Sequence, residues 1–288
     1  MVSIKSSKCA MVLSLGLSAS LLLAAGCQSG NPSAAHSHQS VSAEPAMFPP
    51  ARTKESQAAM SPQEALAELR AGNARFVAGH SQVRNLPAKV RATASAQYPF
   101  AVILSCLDSR QPTEIVFDQG PGDVFSARVA GNVLDDDILA SLEFGCKVSG
   151  AKLIAVVGHS HCGAIKGAID DVHLGRLTDL LDRIKPAIAQ VPENGQPRTS
   201  KNDEFVQKVA EANVRLIMQQ IREQSPALRE LLDAGKIALV GGMYDLSTGA
   251  VRFFPIDSSS RSFPTASHQL GQQSFNSNQY SHQRTEQE

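Results

Sequence analysis

The chain predicts an α/β fold with a mainly parallel central sheet flanked by helices. Between about residues 61 and 257, short apolar runs alternate with helical patterns, the order expected of strands joined by helical crossovers. The runs from Phe100 to Ser105, Val124 to Ala130 and Lys152 to Val157 are short and rich in apolar residues, as strands covered on both faces are. Two of them lead directly into clusters of Cys, His, Asp and Arg, and open parallel sheets place their ligands at strand carboxyl ends.

From the N-terminus, residues 1–26 carry a short basic region (Lys5, Lys8), an apolar run from Met11 to Leu23, and small residues before Cys27. That is a signal-peptide layout, and the apolar run is shorter than the about 20 residues of a membrane-spanning helix. Leu23-Ala24-Ala25-Gly26-Cys27 resembles the lipobox of a bacterial lipoprotein, although Ala24 stands where that pattern usually has Leu. The resemblance implies that Cys27 becomes a lipidated N-terminus on a periplasmic, membrane-anchored protein. Gln28 at the next position argues, within that pattern, against retention in an inner membrane. Residues 27–60, rich in Ser, Ala, Pro, His and Gln without periodicity, read as a flexible tether.

Residues 61–257 form the expected main folded domain. Ser61-Pro62-Gln63-Glu64 is a helix start with a capping box, and Leu66, Leu69 and Phe76 supply its apolar face. A helix is expected from Asp135 to Lys147, with others at about Leu177–Ala189, Asp203–Glu223 and Pro226–Asp233. A last strand from Ile237 to Tyr244 meets the turn Asp245-Leu246-Ser247-Thr248-Gly249, which returns the chain as Val251 to Phe254. Residues 258–288 read as a disordered polar tail in which His268 and His282 are solvated.

The formal charge is zero, and removal of Lys5 and Lys8 leaves 27 acidic against 25 basic residues, so nucleic acid is an unsuitable partner. A small or neutral ligand fits better. Beyond Cys27 the exported chain has Cys106, Cys146 and Cys162, an odd number that cannot pair completely. Metal binding offers two of them another stable state.

The strand ending at Ser105 runs into Cys106-Leu107-Asp108-Ser109-Arg110, and the one ending at Val157 into Gly158-His159-Ser160-His161-Cys162-Gly163. Cys106, His159 and Cys162 make a Cys2His set for zinc that leaves a fourth position for water or substrate. If the chain stays extended past Cys106, Asp108 and Arg110 face the same pocket, where Arg110 keeps Asp108 ionised and Asp108 accepts a hydrogen bond from bound water. Two thiolates cancel the charge of Zn2+, so that water loses its proton above the roughly pH 7 of a three-histidine site. Ile138, Leu142 and Cys146 follow a helical stripe, which reads Cys146 as core. His161 is expected at the pocket edge or surface, and His80 and His173 at the surface.

These motifs, together with Gly72-Asn73-Ala74-Arg75-Phe76, Gly122-Asp123-Val124-Phe125, Arg128 and Ala130-Gly131-Asn132, make the central domain resemble a β-class carbonic anhydrase. The resemblance implies reversible hydration of carbon dioxide to bicarbonate and a proton, one zinc per subunit on Cys106, His159 and Cys162, and a catalytic pair in Asp108 and Arg110. It further implies that Asp108 can become a zinc ligand in a closed state. The resemblance also implies active sites between subunits of a homodimer or higher homo-oligomer, with Gln119 a weaker candidate for pocket lining. The same ligands would serve a carbonyl sulfide or carbon disulfide hydrolase. A catalytically silent zinc-binding lipoprotein is a third possibility, opposed by Asp108 and Arg110, which storage does not need.

Overall fold

The computed structural model describes residues 48–255. The expected signal segment with Cys27, most of the expected tether, and the polar tail with His268 and His282 lie outside the described residues. Among the described residues, no helix is long and apolar enough to cross a membrane.

The fold begins earlier than Ser61. Helix α1 (Lys54–Ala59) occupies the end of the expected tether, with Thr53 accepting from the Ser56 N–H. Gln57 is buried, and its Nε2 donates to Pro99 O at 2.7 Å and Ser149 O at 2.8 Å. Six residues without an apolar stripe give no periodic signal, because this helix is held by one buried amide and two distant carbonyls.

Helix α2 (Pro62–Val77) starts as its sequence predicts, with reciprocal bonds between Ser61 and Glu64. Ala65, Leu66 and Leu69 bury against the sheet. A Cβ on Gly72 would lie 1.9 Å from Phe117 O, so only glycine lets the helix approach that backbone. Asn73 then spends both ends of its amide on distant chain, donating to Val116 O (3.0 Å) and Gly249 O (2.9 Å) and accepting from Val251 N–H (2.8 Å). Helix α3 (Leu86–Ala92), capped by Asn85, has no counterpart in the sequence reading.

The sheet comprises β1 (Ala101–Ser105), β2 (Val124–Arg128), β3 (Leu153–His159), β4 (Ala238–Tyr244) and β5 (Val251–Phe253), in the order β2-β1-β3-β4-β5. The first four are parallel, and β5 returns antiparallel through the expected turn. Alternate residues of β1 and β3 enter two cores: Val102, Leu104, Ile154 and Val156 face one, and Ala101, Ile103, Leu153, Ala155 and Val157 the other. Two strand ends differ from expectation by more than one residue. β2 stops at Arg128, because Ala130–Asn132 turns tightly with Gly131 at φ 65°, and β3 continues through His159.

Short helix α4 (Thr113–Val116) precedes β2. The helix expected from Asp135 to Lys147 is α5 (Asp136–Glu143), capped by Asp135, followed by a wider π-helical turn over Phe144–Val148. Helix α6 (Gly163–Ile169) begins directly after Cys162. The single helix expected over Leu177–Ala189 is two, α7 (Gly175–Asp182) and α8 (Lys185–Gln190). Pro186 is the reason: it lacks an N–H for the helix ladder and its ring collides with the preceding turn, but it fits the first turn of a new helix. Helices α9 (Asp203–Gln224) and α10 (Pro226–Asp233) match their predicted extents closely.

Candidate metal centre

Cys106 follows the last residue of β1, His159 is the last residue of β3, and Cys162 is the residue that opens α6. Because β1 and β3 are neighbours, all three meet at the carboxyl edge of the sheet. One ligand atom from each lies within 4.8 Å of the others, and all three residues are buried. His161, at φ 53°, turns the chain between His159 and Cys162. Its own side chain points outward, 55% exposed and 3.2 Å from Asp203.

The donors fit zinc. Cys106 Sγ and Cys162 Sγ are 4.0 Å apart. Two Zn–S bonds of about 2.3 Å at the tetrahedral angle place the sulfurs about 3.8 Å apart. His159 Nδ1 lies 2.9 Å from Ser160 O, a carbonyl that can only accept. The ring proton therefore sits on Nδ1, and Nε2, buried without a protein partner, presents its lone pair to the other two ligands.

The sulfurs are unlike each other. The Cys162 thiol donates to Cys106 and holds its pKa well below the usual thiol value, with help from the Gly131 N–H at 3.3 Å. Cys162 moves upward, first because it holds that hydrogen bond to the Cys106 thiolate and second because it is buried. A divalent cation held by both sulfurs would take the place of that hydrogen bond.

Asp108 and Arg110 reach the centre by a different path from the one expected. The chain does not stay extended: it leaves β1 and turns at Ser109 and Arg110. Arg110 is brought back on Asp108, donating from Nε to Oδ1 (2.9 Å), from Nη2 to Oδ2 (2.7 Å) and from its backbone N–H to Oδ1 (2.9 Å). The backbone bond requires this turn, which an extended strand would prevent. Asp108 Oδ2 lies 3.9 Å from His159 Nε2, beside the ligand cluster, while the Arg110 side chain is 60% exposed. The Arg110 hydrogen bonds keep the Asp108 carboxyl well below the usual carboxylate range.

Two residues without an assigned role in the sequence reading hold this turn. Arg128 donates to Cys106 O at 3.1 Å and Asp108 O at 2.6 Å, and the Tyr244 hydroxyl donates to Arg110 O at 3.2 Å. Arg128 was legible as part of a motif, but its targets are backbone carbonyls, which have no sequence signature.

Cys146 lies in the core, where burial pushes its thiol up to about 12, and it is not part of the ligand cluster. His80 and His173 are at the surface, the latter 3.3 Å from Asp171. Gln119 is buried and donates to Phe117 O in its own loop, and none of its hydrogen bonds reaches the ligands.

A family model described as carbonic anhydrase matches residues 101–251. Carbonic anhydrase 2 of Mycobacterium tuberculosis is 37% identical over 195 residues, covering 66% of this chain and 91% of that protein. The carbonic anhydrase of Mycolicibacterium smegmatis is 38% identical over 197 residues, with 66% and 92% covered. Among solved structures, a β-carbonic anhydrase of Aspergillus fumigatus superposes with a TM-score of 0.52 at 25% identity, over 67% of this chain and 89% of that one. The family match spans the β1, β3 and α6 segments that carry the cluster, and the chain belongs to the carbonic anhydrase family, in its β class.

Proposed function

We propose that the chain is a zinc-dependent carbonic anhydrase catalysing reversible hydration of carbon dioxide to bicarbonate and a proton. One zinc per subunit would be held by Cys106, His159 and Cys162. The observation that carries this function is the buried Cys2His cluster, three donors where tetrahedral zinc takes four, with the Asp108 carboxylate beside it. Zinc bound there would supply Lewis acidity that makes water nucleophilic on the alkaline side of neutrality.

The remaining work belongs to the chain. Ser160 O fixes the His159 tautomer, and Gly131 N–H stabilises charge on Cys106. Arg110 holds Asp108 ionised, as an acceptor 3.9 Å from the histidine nitrogen. With both Asp108 oxygens engaged by Arg110, the carboxylate would leave the fourth position of a bound zinc to water or substrate. Were that pair to break, the same carboxylate could take the position and close the site.

The test is oxygen-18 exchange between carbon dioxide and water on metal-quantified protein. Because two thiolates neutralise Zn2+, exchange should climb from pH 6.5 to 9, whereas a flat profile or zinc-replete protein without exchange would remove the assignment.

The proposal includes a homo-oligomer. Phe144 and Val148 leave apolar side chains exposed on the π-helical turn, with Phe144 packed edge-on to Phe125 of edge strand β2. It also includes export and membrane attachment through lipidated Cys27, supported by the layout of residues 1–27. Cells fed labelled palmitate should incorporate label into the wild-type protein and not into Cys27→Ser. Equal labelling of both would refute lipidation at Cys27.

A further inference from the structure

Resting on the zinc assignment above, we infer that Asn213 is a positioning residue of the metal centre, acting through the Gly131 peptide on the Cys106 thiolate. Asn213 sits on α9, is 1% exposed, and donates from Nδ2 to Gly131 O at 2.9 Å. The Gly131 backbone N–H donates to Cys106 Sγ at 3.3 Å. One glycine is therefore held at its carbonyl by the helix and delivers its N–H to a metal ligand.

The turn needs such an anchor. Gly131 and Asn132 are both in the left-handed region, at φ 65° and 45°, a conformation that a residue other than glycine adopts at a cost. A Cβ at Gly131 would meet Ile184 Cδ1 at 2.8 Å and Ala164 Cβ at 3.1 Å, so the peptide is pressed between α6 and the α7–α8 junction. The turn's own backbone supplies Asn132 N–H to Val129 O, but the Gly131 carbonyl takes its side-chain bond from α9. Rotation of the peptide about its neighbours would swing the N–H off the sulfur. Asn213 opposes that rotation.

An N–H bond to a coordinated thiolate withdraws charge from sulfur and fixes its direction, and loss of such outer partners typically weakens metal binding about 10–100-fold. Asn213→Asp keeps the shape and sets a carboxylate against the Gly131 carbonyl. Asn213→Leu keeps approximate volume and removes the donor. Val209→Ala, in the same helix and fully buried in the same core, is the control for simple loosening of α9.

The proteins are loaded with Co2+, whose thiolate charge-transfer absorption reads the Cys–metal bonds, and cobalt release to a chelator is timed. Both Asn213 variants should shift the absorption and release metal about tenfold faster or more. Val209→Ala should lower thermal stability and change neither readout. Variants indistinguishable from wild type, or a control that shifts as far, would overturn the role of Asn213. Failure of the wild type to take up one Co2+ per chain would instead count against the zinc assignment. A further arm needs no variant: in cadmium-113-loaded wild type, the metal should couple to the Gly131 amide proton through the N–H···S bond, and absence of that coupling overturns the inference.

Discussion

Cys106→Ser is expected to abolish stoichiometric zinc binding and to lower carbon dioxide hydration by at least about a thousandfold. Three protein ligands hold the proposed ion, so the substitution leaves two, and a serine hydroxyl remains protonated where a thiolate had balanced charge. A Lewis acid contributes several kcal/mol of charge stabilisation, and about 4 kcal/mol corresponds to about three powers of ten in rate. Cys162→Ser should behave alike, because its sulfur is 4.0 Å from that of Cys106 on the other side of the cluster. Elemental analysis alongside oxygen-18 exchange checks the expectation. Metal-free Cys106→Ser with wild-type exchange would end the metal mechanism.

Asp108→Asn is the second large effect, and it separates chemistry from metal binding. The asparagine has the shape of aspartate but offers Arg110 one oxygen where the carboxylate accepts at both Oδ1 and Oδ2. Its amide would set a donor against the Nη2 donor, and the acceptor beside the ligand cluster would be lost or turned away. A fall of about 10²–10⁴ in turnover is expected, the range for loss of a positioned proton acceptor, with zinc content unchanged. Zinc lost together with activity would instead make Asp108 a permanent ligand.

The same substitution carries a pH signature. Arg110 depresses the folded-state pKa of Asp108, so the carboxylate's contribution to stability is complete above its unfolded value of about 3.9 and is lost as pH falls through the depressed folded value. Acid unfolding curves should therefore be steeper for the parent protein than for Asp108→Asn.

Much of the sheet was legible because β1 and β3 are buried on both faces and must be apolar throughout, whatever their neighbours. Helices α9 and α10 were legible because their helical pattern lies within one continuous stretch of chain, and the structure adds the caps Asn202 and Ser225. Helices α1 and α3 escaped notice for the converse reason, being too short to display a period. The break at Pro186 was visible in the residue itself, yet the apolar pattern on either side obscured it.

For the site, sequence alone determined the ligand types. Cys106, His159 and Cys162 are chemically suited to zinc in any fold that lets them meet, and two of them lie three residues apart. Tertiary structure decided that they do meet: the order β2-β1-β3 sets the end of β1 beside the end of β3, although β2 intervenes in the chain. It also decided that Asp108 reaches the centre by a turn, and that the turn is held by Arg128 and Tyr244. Above all it decided which backbone groups serve the ligands. Ser160 O, Gly131 N–H and the carbonyl that Asn213 reaches across 82 residues are peptide atoms, identical in every residue, and only the path of the folded chain makes them specific.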